Sequence, residues 1–449
     1  MNSVQIRIPS DLVQRLLQEI HRPAAREPVA FGMVRHARVG NRRVILVRDI
    51  VVPPETAFLP SQGHGARWRG SYTIELLSRA LADDLGVFIF HAHGRSRSVQ
   101  MSEDDRHSAS QLLPKFQLIA PRRPHGSIVL GEGSAAGMIL MPDENTANEV
   151  FTVRLLDDAL VTWPVPSSCS EAITLFERQP LIDGDVIRRV LNDAVVAVVG
   201  LSGGGSQVVS HLATLGIGEI IGIDNQRVDH SNVFATPGFG WIDALLHIRK
   251  TTAARLRTKL INRNVRFTPV HARIPEPRAV DALKRADLVV GCVNNLHARA
   301  DLNELAWRFC IPYVDLGLIL TVNERDPVRP NPLNGISGNV FTMLPGGPCL
   351  WCTGFLSKDK LDRETGGRGR PYLRSGPDNA NAFVAAFNGT LASEAAAEIL
   401  RLLVGIRRNA ELRRIYDGFS GTLLECAVKR NQACYLCGSV LATGDPTWN

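Results

Sequence analysis

Val195-Val-Ala-Val-Val-Gly-Leu-Ser-Gly-Gly-Gly205, followed through a helical stretch by Ile220-Ile-Gly-Ile-Asp224, is the segment on which the fold turns. Five apolar residues in a row read as a strand buried on both faces. The glycines let the backbone approach a phosphate chain, and the helix that follows presents unpaired N–H groups and a positive dipole end. Asp224 closes the next strand, where an acidic side chain can hold ribose hydroxyls. Leu288-Val-Val-Gly291 and Ile311-Pro-Tyr-Val-Asp315 read as further buried strands. Strands alternating with helices predict a doubly wound α/β sheet. A dinucleotide-dependent oxidoreductase fits these features equally well, so the rest of the chain has to decide.

Outward from this segment, the last third of the chain carries Cys349/Cys352 and Cys434/Cys437, two CxxC pairs about 80 residues apart. The other four of the eight cysteines, Cys169, Cys292, Cys310 and Cys426, are scattered. The start, MNSVQIRIPSDL, has no signal-peptide core, so paired CxxC reads as a closed, structural zinc site rather than disulfides, and the chain as cytoplasmic. The chain has 449 residues, enough for two or three domains, and 45% of them are hydrophobic. No run of about 18 apolar residues predicts a membrane span. The net charge is +7 and the basic residues are mostly arginine, but they form no clustered stripe, so nucleic acid is not an expected partner.

Upstream lies a second unit. Ser10 caps a helix over Asp11–Ile20, strands follow at Val29–Arg35 and Val44–Val52, and a helix spans Tyr72–Asp84. Gly86-Val-Phe-Ile-Phe90 is a buried strand that runs into His91-Ala-His93. Further strands read at Gly126–Leu130, Gly137–Met141 and Val150–Leu155, and Trp163–Ser168 reads as a linker. Side chains two apart on a strand point the same way, so both imidazoles can reach one ion. A carboxylate from Ser102-Glu-Asp-Asp105 completes three protein ligands and leaves an open position, at which zinc activates water near neutral pH. Glu27, just before a strand, is the candidate general base. Lys358 to Ser375 is charged and Gly-rich, and reads as a mobile segment.

The order glycine loop, Asp224, Val228-Asp-His-Ser-Asn232, Lys250, Gly291-Cys-Val-Asn-Asn-Leu-His-Ala-Arg299 and two CxxC pairs resembles the ThiF/MoeB/ubiquitin-activating family over about residues 171–440. The resemblance implies an ATP- and magnesium-dependent adenylyltransferase on a Rossmann-like fold with a structural zinc site. The C-terminal glycine carboxylate of a ubiquitin-like protein would attack the α-phosphate, giving acyl-AMP and pyrophosphate. Gly200, Gly203, Gly204, Gly205, Asp224, Asn232, Lys250, Asn294, Asn295 and Arg299 would bind the nucleotide. Cys349, Cys352, Cys434 and Cys437 would bind zinc. Arg178 would reach a partner's nucleotide site in a homodimer. Four positions depart from the pattern: Ser202 for a glycine, Gln226 for the second acid of DxD, Ala235 for an arginine and Asn294 for a magnesium-binding aspartate. Thr353 to Asn388 holds no cysteine, so acyl-adenylate formation without an enzyme thioester is expected.

Glu27, His91-x-His93 and Ser102-x-x-Asp105 resemble the JAMM/JAB metalloprotease family over about residues 10–160. Gly94 stands where that family often has proline, and the gap from His93 to Ser102 is one residue longer than usual, which leaves Asp104 as a rival ligand to Asp105. The resemblance implies catalytic zinc on His91, His93 and Asp105, Glu27 as general base and Ser102 at the oxyanion. The expected architecture is therefore α/β throughout, with a JAB-type mixed α/β isopeptidase domain over residues 1–165 and a ThiF-type domain over 166–449. Together they resemble a bacterial-type ubiquitin-like modification protein, some of which serve antiphage defence; a conjugating-enzyme-like protein is a further partner this implies. The other reading keeps only the isopeptidase active and makes the ThiF-like half a nucleotide- or tail-binding module.

Overall fold

The computed structural model of the chain describes residues 4–20, 22, 27–40, 42–60, 66–93, 98–131, 133–149, 152–156, 160–163, 185–322, 333–366, 384–406 and 413–445. The chain divides into two compact units. The first comprises Met1–Pro166 with Arg308–Cys310 and Ser439–Asn449, and the second comprises Ser167–Trp307 with Ile311–Gly438. Residues 308–310 and 439–449, expected in the second domain, thus group with the first. Arg7 Nη1 donates to Phe309 O at 2.7 Å and Arg48 Nη1 to Leu441 O at 2.9 Å within that unit. Among the described residues no helix is long and apolar enough to cross a membrane.

The first unit runs β1 (Val4–Ile8), α1 (Ser10–Ile20), β2 (Val29–Val39), β3 (Arg42–Val51), α2 (Gly70–Ala82), β4 (Gly86–Ala92), α3 (Glu103–Ile119), β5 (His125–Leu130), β6 (Ala135–Leu140), β7 (Asn148–Glu149), β8 (Thr152–Leu156) and β9 (Leu160–Trp163). Its nine-stranded sheet has the order β7-β6-β5-β4-β2-β3-β1-β8-β9. The alternation along the strands decides what each face covers. Phe88 and Phe90 join Val13 and Leu16 of α1 in one core. Val29, Phe31, Met33, Val87 and Ile89 face the other way, against Leu76, Leu77 and Ala80 of α2 and Phe116 of α3. Odd-numbered residues of β2 and β4 therefore face α2 and α3, and Glu27, His91 and His93 continue that parity at the strand ends.

The second unit runs α4 (Asp185–Asp193), β10 (Val195–Val199), α5 (Gly203–Leu215), β11 (Glu219–Ile223), α6 (His230–Ala235), α7 (Trp241–Leu245), α8 (Lys250–Ile261), β12 (Arg266–Val270), α9 (Pro277–Lys284), β13 (Leu288–Gly291), α10 (Leu296–Arg308), β14 (Tyr313–Val322), β15 (Leu333–Met343), α11 (Lys358–Gly366), α12 (Ala385–Val404), β16 (Arg413–Asp417) and β17 (Thr422–Cys426). Strands β12-β11-β10-β13-β14 are parallel, and β15, β16 and β17 extend the sheet antiparallel. Counted in chain order the parallel part reads 3-2-1-4-5, the doubly wound arrangement, with its switch point between β10 and β13. Two glycines of the loop are structurally required. Gly200 sits at φ +86°, and a Cβ on Gly205 would come within 1.8 Å of Gly200 O. Gly216, at φ +76°, ends α5 in the left-handed conformation.

One expectation needs correction. The start of the segment read as mobile is helical over Lys358–Gly366. Glu364 accepts from Leu296 N at 2.9 and 3.0 Å and from His297 N at 3.2 Å. A carboxylate across the first turn of α10 satisfies donors that no intrahelical acceptor reaches. That anchoring is invisible in composition.

Candidate functional site

The main cleft of the second unit opens at the switch point, beyond the carboxyl ends of β10, β11 and β13. It has a volume of about 1080 Å³ and is lined by Gly200, Ser202, Gly203, Gly204, Asp224, Asn232, Lys250, Asn294, Asn295 and Arg299, among others. Every nucleotide-binding candidate read from the sequence thus lines it except Gly205. Gly205 is buried behind the loop, against Gly200 and Cys292. Ile274 after β12, Leu316 on β14 and Asn388 on α12 also line the cleft. They carry no chemical motif, so sequence reasoning missed them.

The lining residues differ in what they have left to offer a ligand. Asp224 accepts from Leu201 N at 2.9 Å and from Gln226 N at 2.7 Å. A carboxylate has about four acceptor sites, so it retains room for hydroxyls. Asn232 is the third residue of a capping box: Asp229 accepts from Asn232 N, and Asn232 Oδ1 accepts from Asp229 N at 3.2 Å. Asn295 caps α10 by accepting from Ala298 N at 2.7 Å. Lys250, only 3% exposed, donates to Ser202 Oγ and to Gln226 Oε1, each at 2.7 Å. Burial pushes its ammonium below the usual lysine range, against the pull of Asp224 and Asp229.

Arg299 lines the cleft and also takes part in a buried pair. Its guanidinium pairs with Asp315 and donates to Val293 O at 2.9 Å and Leu316 O at 3.0 Å. A buried arginine satisfied by carboxylate and carbonyls ties β13, α10 and β14 together and has little charge left to offer. Arg178 lies outside the described residues. Burial pushes the Cys292 and Cys310 thiols up to about 12, as fits small apolar thiols rather than nucleophiles.

Cys349, Cys352, Cys434 and Cys437 come together within the second unit. Their sulfurs stand 3.8 Å (Cys349–Cys352), 3.7 Å (Cys349–Cys434) and 3.5 Å (Cys352–Cys437) apart. Four sulfurs about 2.3 Å from a central zinc form a tetrahedron with edges of about 3.8 Å, so the spacing fits a structural zinc site.

In the first unit, the antiparallel register of Val29 with His91 puts Glu27 opposite His93. Glu27 Oε1 lies 3.2 Å from His93 Nε2 and 3.9 Å from His91 Nε2. From α3, Asp105 Oδ1 lies 3.2 Å from His91 Nε2 and Oδ2 3.2 Å from His93 Nε2. Of the two rival aspartates, it is therefore Asp105 that stands beside the histidines. His91 Nε2 is buried without an aligned hydrogen bond, so the donor atoms converge without satisfying one another. Glu27, His91 and His93 bring ligand atoms close enough together to hold one metal ion, with Asp105 against both imidazoles, a donor set that suits zinc. Burial raises the Glu27 carboxyl above its ordinary value, opposed by both histidines. Burial also acts to raise Asp105, but the His91 imidazole and the bonds from Ser102 outweigh it and hold that carboxyl well below the usual range. Ser102, expected at the oxyanion, caps α3 instead. It donates from Oγ and N to Asp105 Oδ2 at 2.6 and 2.8 Å, and Oγ accepts from Asp105 N at 3.1 Å. Its hydroxyl proton is thus spent on aiming Asp105.

The second unit therefore has the fold of a doubly wound protein, with a glycine loop lining its switch-point cleft and a cluster of four cysteines. The chain belongs to the ThiF family, whose profile matches residues 177–436. It is 25% identical over 278 residues to the sulfur carrier protein ThiS adenylyltransferase of Escherichia coli (strain K12), covering 60% of this chain and 96% of that one. Over 252 residues it is 26% identical to the molybdopterin-synthase adenylyltransferase of the same strain (56% and 90% covered) and to the SAMP-activating enzyme E1 of Haloferax volcanii (56% and 82%). Among solved structures, E. coli MccB with ATP aligns at 20% identity and a TM-score of 0.45, over 61% of this chain and 76% of that one.

Proposed function

We propose that the second unit adenylates the C-terminal carboxylate of a ubiquitin-like or sulfur-carrier protein. The observation that carries this reading is a nearly buried lysine facing a glycine loop and Asp224 in one switch-point cleft, in a chain whose relatives are named as adenylyltransferases. A carboxylate oxygen attacks the α-phosphorus, an O–P bond forms, the bond to the bridging oxygen breaks and pyrophosphate leaves. Lys250 and the amides of the glycine loop offset charge gathering on the phosphates. The magnesium carboxylate of the family pattern is an amide at Asn294, so no step is assigned to the metal. Pyrophosphate exchange into ATP that depends on a ubiquitin-like partner tests the reading. Nucleotide binding without exchange would leave a binding module, the reading that Ala235 and Asn294 favour.

The first unit is assigned to isopeptide or tail cleavage of the same kind of partner, in a fusion that passes from one unit to the other after Pro166. Zinc there would supply Lewis acidity to the scissile carbonyl. His91, His93 and Asp105 would hold it, Ser102 would orient Asp105, and Glu27 would move the proton. Asp105→Asn should then lose most of the zinc from this site while Asp104→Asn keeps it, as read by metal analysis of purified protein. The reverse outcome would transfer the ligand role to Asp104.

A two-fold dimer of the second unit completes the reading. Phe234, Trp241, Ile242, Leu245, Leu246, Leu256 and Leu260 are exposed on α6, on α7 and the turn after it, and on α8. Helices α7 and α8 are joined by Arg257 and Asp243 at 3.3 Å. A concentration of large apolar side chains of this kind marks an interaction face, and a closed two-fold contact is the commonest use. Light scattering at micromolar concentration should give a dimer, and Leu245→Asp with Leu260→Asp a monomer. A monomeric parent chain would reject the dimer.

A further inference from the structure

Two of the positions at which the second unit departs from the ThiF-family pattern, Ser202 and Gln226, meet at one atom. Lys250 Nζ donates to both, at 2.7 Å each. Gln226 grips Lys250 twice, because its main-chain carbonyl also accepts from Lys250 N at 3.0 Å. Gln226 is itself fixed by donating from N to Asp224 Oδ1 at 2.7 Å. Ser202 stands at the N-cap of α5, where a serine hydroxyl ordinarily accepts from the second or third amide of the helix. Here it makes no such bond, and accepts from Lys250 instead.

An ammonium has three protons. Two are taken by neutral oxygens, and the third has no protein partner among the described residues. The carboxylates that act on Lys250 from nearby, Asp224 and Asp229, make their hydrogen bonds to other groups: Leu201 N and Gln226 N for the first, Asn232 N and Ser231 Oγ for the second. An acid at position 226 would hold the lysine equally well but would cancel its charge. An amide oxygen holds it and cancels nothing.

We propose that Ser202 and Gln226 are positioning residues that clamp the Lys250 ammonium between neutral acceptors. The ammonium's remaining N–H is thereby aimed at the phosphate chain of the bound nucleotide, with no carboxylate hydrogen-bonded to it, in place of the cation the chain lacks at Ala235. This rests on reading the cleft as a nucleotide site. It turns two apparent losses into one compensation: the acid that would have neutralised Lys250 is gone together with the arginine that would have shared its work.

The test is the preference of the full chain for ATP over adenosine, measured by calorimetry for the parent, Gln226→Glu and Gln226→Met. Gln226→Glu keeps the clamp and cancels the charge, so the preference should fall about tenfold. Gln226→Met removes one acceptor and keeps the charge, so the fall should be smaller, about threefold. Adenosine affinity reports whether the cleft is intact in each variant. The proposal is overturned if Gln226→Glu keeps the parent's preference, if both variants lose it equally, or if ATP and adenosine weaken in parallel. A parent chain with no preference for ATP removes the nucleotide reading itself, a different failure that this comparison separates from the others.

Discussion

Glu27→Gln is expected to lower cleavage of a ubiquitin-like fusion by at least about a hundredfold while leaving the zinc content of the chain unchanged. The substitution keeps size and shape and removes only basicity. Peptide hydrolysis needs a proton taken from water as it attacks the carbonyl and a proton given to the nitrogen as the C–N bond breaks. One group that faces the reacting atoms can do both. Glu27 Oε1 stands 3.2 Å from His93 Nε2, close enough to act beside an ion held by the histidines. It reaches that place because antiparallel pairing sets Val29 against His91. The measurement is a progress curve with a fluorogenic ubiquitin-like substrate beside metal analysis of the same sample. Undiminished activity in the Glu27→Gln protein would reject the metallopeptidase mechanism whatever the metal content. Loss of zinc together with activity would instead make Glu27 a ligand.

What the sequence disclosed and what it hid follow from the range of the interactions involved. The β10 run, the glycine loop and Asp224 were legible because strand, turn and helix start are local and each carries its own residue signature. The convergence of His91 and His93 was legible from strand alternation alone. The sequence named Asp105 by resemblance but could not show why it, and not Asp104, stands beside the histidines, because that depends on where α3 starts; Ser102 fixes the start by capping the helix, with the Asp105 side chain bonded back to the Ser102 amide. The commitment of Arg299 to Asp315 joins residues 16 apart through a buried pair, and a motif match cannot show that a charge is already spent. The same limit made Ser202 and Gln226 look like losses, when both hold Lys250. The helix at Lys358–Gly366 was missed because its anchor, Glu364 on the α10 amides, lies 68 residues from Leu296 in sequence.

Cys349→Ser should destabilise the second unit by about 5 kcal/mol or more, a drop of more than about 10 °C in its thermal transition. Cys349 is fully buried, on the turn that follows β15, and its sulfur faces sulfurs from a segment beyond β17. A metal at their centre closes a loop of about 80 residues, so its ligation free energy becomes folding free energy for both chain ends of the cluster. The surroundings are built to hold that geometry: Leu350 N donates to Asn303 Oδ1 at 2.9 Å, and Arg430 donates to Gly346 O and Cys437 O at 2.9 Å each. Two controls separate zinc from simple thiol packing. If the four cysteines were only apolar core, a serine would cost about 1–3 kcal/mol for its unsatisfied hydroxyl and a chelator would do nothing. If they hold zinc, prolonged chelation of the parent should reproduce the Cys349→Ser melting curve, and readdition of zinc should restore the parent but not the variant. His91→Ala supplies the contrast, because a ligand removed from a site at the end of a strand should abolish cleavage and leave the second unit's transition where it was. A Cys349→Ser chain that melts with the parent and is indifferent to chelator would leave the four thiols without a metal.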